Sequence, residues 1–258
     1  MKRNATTILL FILLFSTTAV NAQQIIAHRG YWKTDGSAQN SITALMKADS
    51  ISVYGSEVDV WLSSDGVPVA NHDATVMLNG EKITVEETPL STLRQVKLSN
   101  GETLPTVEEY LDAFAACSHT RLIIEFKTHS QKEREEELAR KVIKMVHERG
   151  LQEKVEYIAF GIHFVLQARQ LDPQAAVYYL NGDLSPGDLS VMGLAGFDYH
   201  HSVVAKKPEW VQAAHELGQM VNVWTVNTPE DIRKMIGLKV DFITTDEPLL
   251  VKEILQQQ

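Results

Sequence analysis

The hydrophobic positions fall into two alternating patterns. Short runs rich in Val, Ile, Tyr and Phe predict strands over 24–28 (QIIAH), 56–62 (SEVDVWL), 121–127 (RLIIEFK), 155–160 (VEYIAF), 176–181 (AVYYLN), 196–201 (GFDYHH), 220–226 (MVNVWTV) and 241–246 (DFITTD). Between them the apolar spacing turns helical. NSITALMKADSI presents Ile42, Leu45, Met46 and Ile51 on one face. TVEEYLDAFAAC opens with Thr106 and Glu109 in the spacing of a capping box. QKEREEELARKVIKMVHERG sets charge against Leu138, Val142, Met145 and Val146 and stops at Gly150. Later helices are expected from Phe164, Ser185, Pro208, Pro229 and Pro248, the prolines suiting a first helical turn.

Eight strand–helix units in one stretch predict an α/β fold, a closed (β/α)8 TIM barrel. A doubly wound open sheet is the competing arrangement, but no Gly-rich dinucleotide loop follows any strand. Residues 67–104 break the rhythm: VPVANH extends the second unit, and the segment after it delays the second helix. An insertion after the second strand lies above a barrel mouth, where sites are built.

Composition narrows the classes. Lys2 and Arg3, the apolar run Ile8–Phe15 and small residues before Gln23 read as a signal peptide over residues 1–22, leaving one domain over 23–258. An uncleaved anchor is the alternative for so short an apolar core. Removing Lys2 and Arg3 leaves 22 basic against 33 acidic residues, a formal charge of −11. So acidic a chain is unsuited to nucleic acid or an anionic membrane surface, and no membrane anchor is expected after cleavage. Cys117 is the single cysteine, set in a helical apolar pattern, so no disulfide framework or thiolate metal site is expected. Export without disulfides points to a periplasmic or secreted protein.

The candidate chemistry sits at the carboxyl ends of the strands. The first ends in His28-Arg29. The second carries Glu57 and Asp59, and the third Glu125 and Lys127, each pair two apart and so on one face. His72-Asp73 follows the second. Three carboxylates in a dry barrel interior repel unless protonated, paired or bound to metal. Their oxygens suit a hard cation, Mg²⁺ or Ca²⁺. Arg29 and Lys127 beside them suit a phosphate, and His28 and His72 suit acid–base work. Together these residues describe a metal-assisted phosphoester site acting on a small molecule.

The motifs AHRG, QNS, SEVDVWLSSDGVPVANHD, LSTLRQVKL, LPTVEEYLDA, LIIEFK, VNVWTVN and VDFITTDEP, running in this order from Ile25 to Pro248, resemble the glycerophosphodiester phosphodiesterase family. The resemblance implies a barrel, a divalent cation, and hydrolysis of glycerophosphodiesters to glycerol 3-phosphate and an alcohol. It implies Glu57, Asp59 and Glu125 as metal ligands, His28 and His72 as the acid–base pair, and Arg29 and Lys127 as phosphate-binding groups. In the family's reaction a glycerol hydroxyl attacks phosphorus and water opens the cyclic phosphate; for the first step His28 is assigned as base and His72 as acid. Trp224 resembles the family's pocket-lining Trp-Thr motif. Two departures stand out. Ala38-Gln39-Asn40 replaces the usual Pro-Glu-Asn, removing a negative charge near Arg29, and MLNGEKIT replaces the usual Arg-Thr-Thr.

Two other functions compete. A barrel that binds a phosphorylated ligand without turnover is favoured only by Gln39. A glycosidase using Glu57 and Glu125 leaves Arg29 and Lys127 without a role. Phe160, Gly161 and one of His200 and His201 are expected to border the mouth, with Trp61 flanking the carboxylates. His119, His129, His147, His163 and His215 are expected to be surface or structural.

Overall fold

The structure, a computed structural model, describes residues 23–257. The signal peptide assigned to residues 1–22 lies outside the described residues. The strands are β1 (Gln24–Ala27), β2 (Gly55–Leu62), β3 (Pro68–Ala70), β4 (Thr75–Leu78), β5 (Glu81–Thr84), β6 (Arg121–Phe126), β7 (Val155–Ala159), β8 (Ala176–Tyr179), β9 (Gly196–His200), β10 (Met220–Trp224) and β11 (Phe242–Thr245). Eight of them, β1, β2 and β6 to β11, are parallel neighbours, and β1 pairs with both β2 and β11, which closes the barrel. The predicted (β/α)8 barrel is therefore the fold, and the open sheet is excluded.

The helices are α1 (Ile42–Ser50), α2 (Leu90–Leu93), α3 (Val107–Phe114), α4 (Lys132–Glu148), α5 (Ile162–Leu171), α6 (Pro186–Val191), α7 (His201–Lys206), α8 (Glu209–Glu216), α9 (Pro229–Gly237) and α10 (Pro248–Gln256). Local chemistry sets their starts. The Thr106 hydroxyl accepts from the Glu109 N–H while the Glu109 carboxylate accepts from the Thr106 N–H, the expected capping box. Ser185 and Asp188 build a second one at α6. Pro229 and Pro248 each begin a helix, where a missing N–H costs nothing. Helix α7, directly after β9, has no counterpart in the apolar pattern; the His200 ring caps it by accepting from the Ser202 N–H. Among the described residues no helix is long and apolar enough to cross a membrane.

The insertion after β2 folds back on the barrel. β3 pairs antiparallel with β2, and β4 and β5 form a separate hairpin. Trp61, Val69, Val76, Val85, Leu93, Val96 and Leu104 make its own small core, apart from the main one between barrel and helices. The insertion is thus a packed wall standing beside the barrel mouth, with buried apolar area to hold it there.

Apart from β2, the barrel strands end one or two residues earlier than their apolar runs suggest. His28, Lys127, Phe160 and Asp246 all lie just past a strand, on the turns that form the mouth. A polar or bulky group there escapes the packing of the barrel wall and faces the pocket instead.

Candidate active site

The turn after β1 shapes one side of the mouth. Arg29 has φ 56° and Gly30 φ 79°. A Cβ on Gly30 would stand 2.6 Å from the Ala44 side chain, so only glycine lets this turn lie against α1. The strained Arg29 backbone points its N–H at the Glu57 carboxylate, 3.0 Å away. Asn40, also in the left-handed region at φ 56°, makes two contacts with Asp59: its amide donates to Oδ2 at 2.8 Å and its carbonyl accepts from the backbone N–H at 3.1 Å. Two uncommon backbone conformations therefore serve the two carboxylates of β2.

Glu57, Asp59 and Glu125 come together, all buried, each offering an oxygen within 4.8 Å of the others. The register explains it: Asp59 lies beside Glu125 on the adjacent parallel strand. Lys127 Nζ reaches Glu125 at 2.7 Å and Asp59 at 2.8 Å. Asp59 Oδ1 faces Lys127 but has no well-aligned hydrogen bond. Burial and the charge of Asp59 push Glu125 well above the usual carboxylate range, and Glu57 moves the same way, chiefly through burial. Burial works in that direction on Asp59 too, but Lys127, His72 and Asn40 outweigh it and hold the carboxyl low. Without a bound cation, burial and mutual repulsion would work against ionisation of Glu57 and Glu125. An oxygen donor set with one under-bonded buried oxygen fits a hard divalent cation.

The two histidines approach from opposite sides. His28 Nδ1 meets Asp246 Oδ1 at 2.8 Å, and its Nε2 lies 3.7 Å from Glu57. Burial lowers the His28 pKa, yet Glu57 and Asp246 raise it further and the net shift is upward. The same contacts, with the Trp32 indole and Asn227, bring Asp246 down to about 2. His72 Nδ1 meets Asp73 at 2.6 Å, and its pKa is lowered by burial, with Lys127 and Arg29 adding to the shift. Each ring thus has Nδ1 on a carboxylate, which orients Nε2 away from it. Arg29 extends its guanidinium to Gln39 Oε1 at 2.8 Å. The amide at position 39 still orients Arg29, but without charge.

One cavity gathers His28, Arg29, Glu57, His72, Glu125 and Lys127 against a wall that includes Ile158, Phe160, Leu180 and Trp224. Phe160 meets Trp224 edge-on at 5.5 Å, and the Trp224 N–H donates to the Asp198 carbonyl at 2.9 Å. Every residue expected to act thus borders this cavity, apart from Asp59, which lies buried behind it. Trp61 does not border it. Its ring packs on His129, and its N–H donates to the His72 carbonyl at 3.3 Å, so it braces the His72 turn from outside. His129 is buried and structural, joining the Lys127 carbonyl to the Leu62 N–H. His200 stands edge-on to Trp224 at 5.1 Å, outside the cavity lining.

A model of the glycerophosphoryl diester phosphodiesterase family matches residues 28–250, from the first catalytic candidate through the last strand. The chain belongs to this family. A glycerophosphodiester phosphodiesterase from Caldanaerobacter subterraneus is 27% identical over 235 residues, covering 87% of this chain and 94% of the relative. A crystal structure of a glycerophosphodiester phosphodiesterase from Parabacteroides distasonis is 42% identical, with a TM-score of 0.88, covering 92% of this chain and 98% of that one. An Oleispira antarctica phosphodiesterase, solved in complex with the product sn-glycerol-3-phosphate, shares the fold at a TM-score of 0.79 and 24% identity, over 91% of this chain and 97% of its own. The protein is thus an enzyme of the phosphodiesterase class.

Three groups at the site lay outside the residues singled out from sequence. Asn40 fixes Asp59, Asp246 fixes His28, and Asp198 lines the cavity floor. Asn40 and Asp246 fall inside the QNS and TTDEP motifs, the one signal that could have drawn attention to them.

Proposed function

We propose that the protein hydrolyses a glycerophosphodiester to glycerol 3-phosphate and an alcohol, with a divalent cation held by Glu57, Asp59 and Glu125. The observation that carries this reading is the convergence in one cavity of two oriented histidines, two cations and the carboxylates. The product found with the Oleispira protein supports it. Bound Mg²⁺ or Ca²⁺ supplies charge for the carboxylates and polarises a phosphoryl oxygen.

Arg29 and Lys127 hold the phosphate. His28 borders only the main cavity, whereas His72 and Arg29 also border a neighbouring groove walled by Trp32, Gln39, Asn71 and Thr75. A diester has two arms. With the glycerol arm in the main cavity, the leaving alcohol occupies that groove. His28 then stands beside the attacking hydroxyl as base, and His72 beside the leaving oxygen as acid. The hydroxyl oxygen bonds to phosphorus as its proton passes to His28. The bond to the leaving oxygen breaks as His72 protonates it. Water then opens the cyclic phosphate with the two roles exchanged. Charge compensation supports the order: a cation on Glu57 would weaken the pull that raises the His28 pKa, and a bound phosphate would offset Lys127 and Arg29, which add to the lowering of the His72 pKa.

The test is a panel of glycerophosphodiesters bearing choline, ethanolamine, inositol or glycerol, read by glycerol 3-phosphate release. Release that stops on chelation and returns with Mg²⁺ or Ca²⁺ is expected. His28→Ala and His72→Ala should fold and lose turnover. Full activity after chelation overturns the metal assignment, and binding without product overturns the reaction. The amino-terminal leader supports export, so the reaction would take place in the periplasm or outside the cell.

A further inference from the structure

The cavity has a floor that the reaction above leaves unused. Phe197 and Tyr199 on β9 pack into the outer core, so Asp198 between them projects into the barrel. It is 2% exposed and borders the cavity beside Ile158, Leu180 and Thr244. Its Oδ1 has no hydrogen-bond partner among the described residues. The one side-chain donor beside the carboxyl is Asn222, which also bonds Thr244 at 2.9 Å, and Trp224 donates only to the Asp198 backbone carbonyl. The other carboxyls inside the barrel have donors: Glu57 has the Arg29 N–H, Asp59 has Asn40, Glu125 has Lys127, and Glu156 has Tyr54 and Arg121. A buried carboxyl oxygen without a donor costs stability, so the free Oδ1 calls for a partner that arrives with a ligand.

We propose that Asp198 positions the substrate by hydrogen-bonding the terminal hydroxyl of the glycerol arm, the one that neither carries the ester nor attacks phosphorus. The inference rests on the phosphodiesterase reading above. With the phosphate on Arg29 and Lys127 and the attacking hydroxyl at His28, the far end of the arm reaches into the barrel. Ile158, Leu180 and Trp224 cover its carbons. On that floor Thr244 already bonds Asn222, which leaves the Asp198 carboxyl to receive the last hydroxyl.

The experiment compares two diesters with the same leaving alcohol. One carries glycerol. The other carries propane-1,2-diol, which keeps the attacking hydroxyl and lacks the terminal one. In the wild type kcat/KM should fall roughly tenfold to a hundredfold on the deoxygenated substrate. Asp198→Ala should erase that preference while turning over the propanediol diester about as fast as the wild type does. Asp198→Asn, which keeps size and hydrogen bonding, should retain most of it. The alanine variant should melt at or above the wild-type temperature, since it removes a buried carboxyl with an unpartnered oxygen. Equal loss on both substrates, no preference in the wild type, or a melting temperature well below wild type overturns the proposal. Wild-type protein that turns over neither diester overturns the underlying reaction instead, and the proposal with it.

Discussion

The barrel interior holds two buried polar clusters, one at each end, and they are built on opposite terms. At the end away from the mouth, Glu156 accepts from both the Tyr54 hydroxyl and Arg121 Nε. Phe242 and Tyr178 close over it, with Tyr54 4.8 Å from the Phe242 ring. One carboxylate is matched by two donors, both on Oε1. At the mouth, three carboxyls share Lys127, the Arg29 N–H and Asn40, one Asp59 oxygen is under-bonded, and two of the three carboxyls are pushed upward by burial and mutual repulsion. The satisfied cluster stabilises the fold. The unsatisfied one leaves electrostatic strain at the mouth, which the proposed cation and phosphate would relieve.

Breaking each cluster should therefore give opposite signatures. The largest effect on activity is expected at the mouth. Glu125→Gln should lower kcat/KM by about 10²–10³-fold or more, with a melting temperature equal to or above wild type because one repelling carboxyl is gone. Asp246→Asn should come next, at roughly 10²-fold or more, by loosening the tautomer and orientation of His28. Glu156→Ala should do the reverse. Leaving Arg121 and Tyr54 without their acceptor should cost about 3 kcal/mol or more, roughly a 6–12 °C fall in Tm, while kcat/KM stays within a few-fold. A large stability loss in Glu125→Gln, or a large activity loss in Glu156→Ala, would dissolve the distinction.

How far the sequence showed this contrast is instructive. The alternation of apolar strands with amphipathic helices was enough for the barrel, because a closed parallel barrel is nearly the one way to bury so many such runs. His28, Arg29, Glu57, Asp59, Glu125 and Lys127 stood out because a charged group in or just after an apolar strand is rare. Asp246 did not, although it too ends a strand. Its partner His28 lies 218 residues away, and only the pairing of β1 with β11 brings the two together. Asn40 hid among ordinary loop polars, since its role depends on a left-handed backbone that no composition reports. Asp198 was overlooked because it lies inside the GFDYHH run, where the histidines that end the strand drew the attention. Helix α7 was missed because it is only six residues long and is capped by a histidine.

In metal-free protein the His28–Asp246 pair has a pH window. The Asp246 pKa falls to about 2 in the fold, so its contribution is present above the unfolded value near ~4 and is lost as pH drops towards 2. The His28 pKa is raised, so its contribution is present below the unfolded value near ~6.5 and is lost as pH rises through the folded one. The melting-temperature advantage of wild type over Asp246→Asn should thus peak between about pH 4 and 6.5 and shrink on both sides. A flat difference would deny the ion pair. Least of all, Gln39→Glu restores a charge beside Arg29 and should change kcat/KM by less than about tenfold, because Gln39 Oε1 already holds the guanidinium at 2.8 Å.

The central claim is that the strain at the mouth exists to be relieved by a divalent cation. Thermal melting with and without Mg²⁺ or Ca²⁺ measures that relief directly. At a hundredfold excess over the dissociation constant, wild-type protein should gain about 2.7 kcal/mol, roughly 5–11 °C. Glu57→Gln and Glu125→Gln should gain little, and Glu156→Ala, though less stable, should gain as much as the wild type. No gain in the wild type, or the same gain in the mouth variants, would contradict the account.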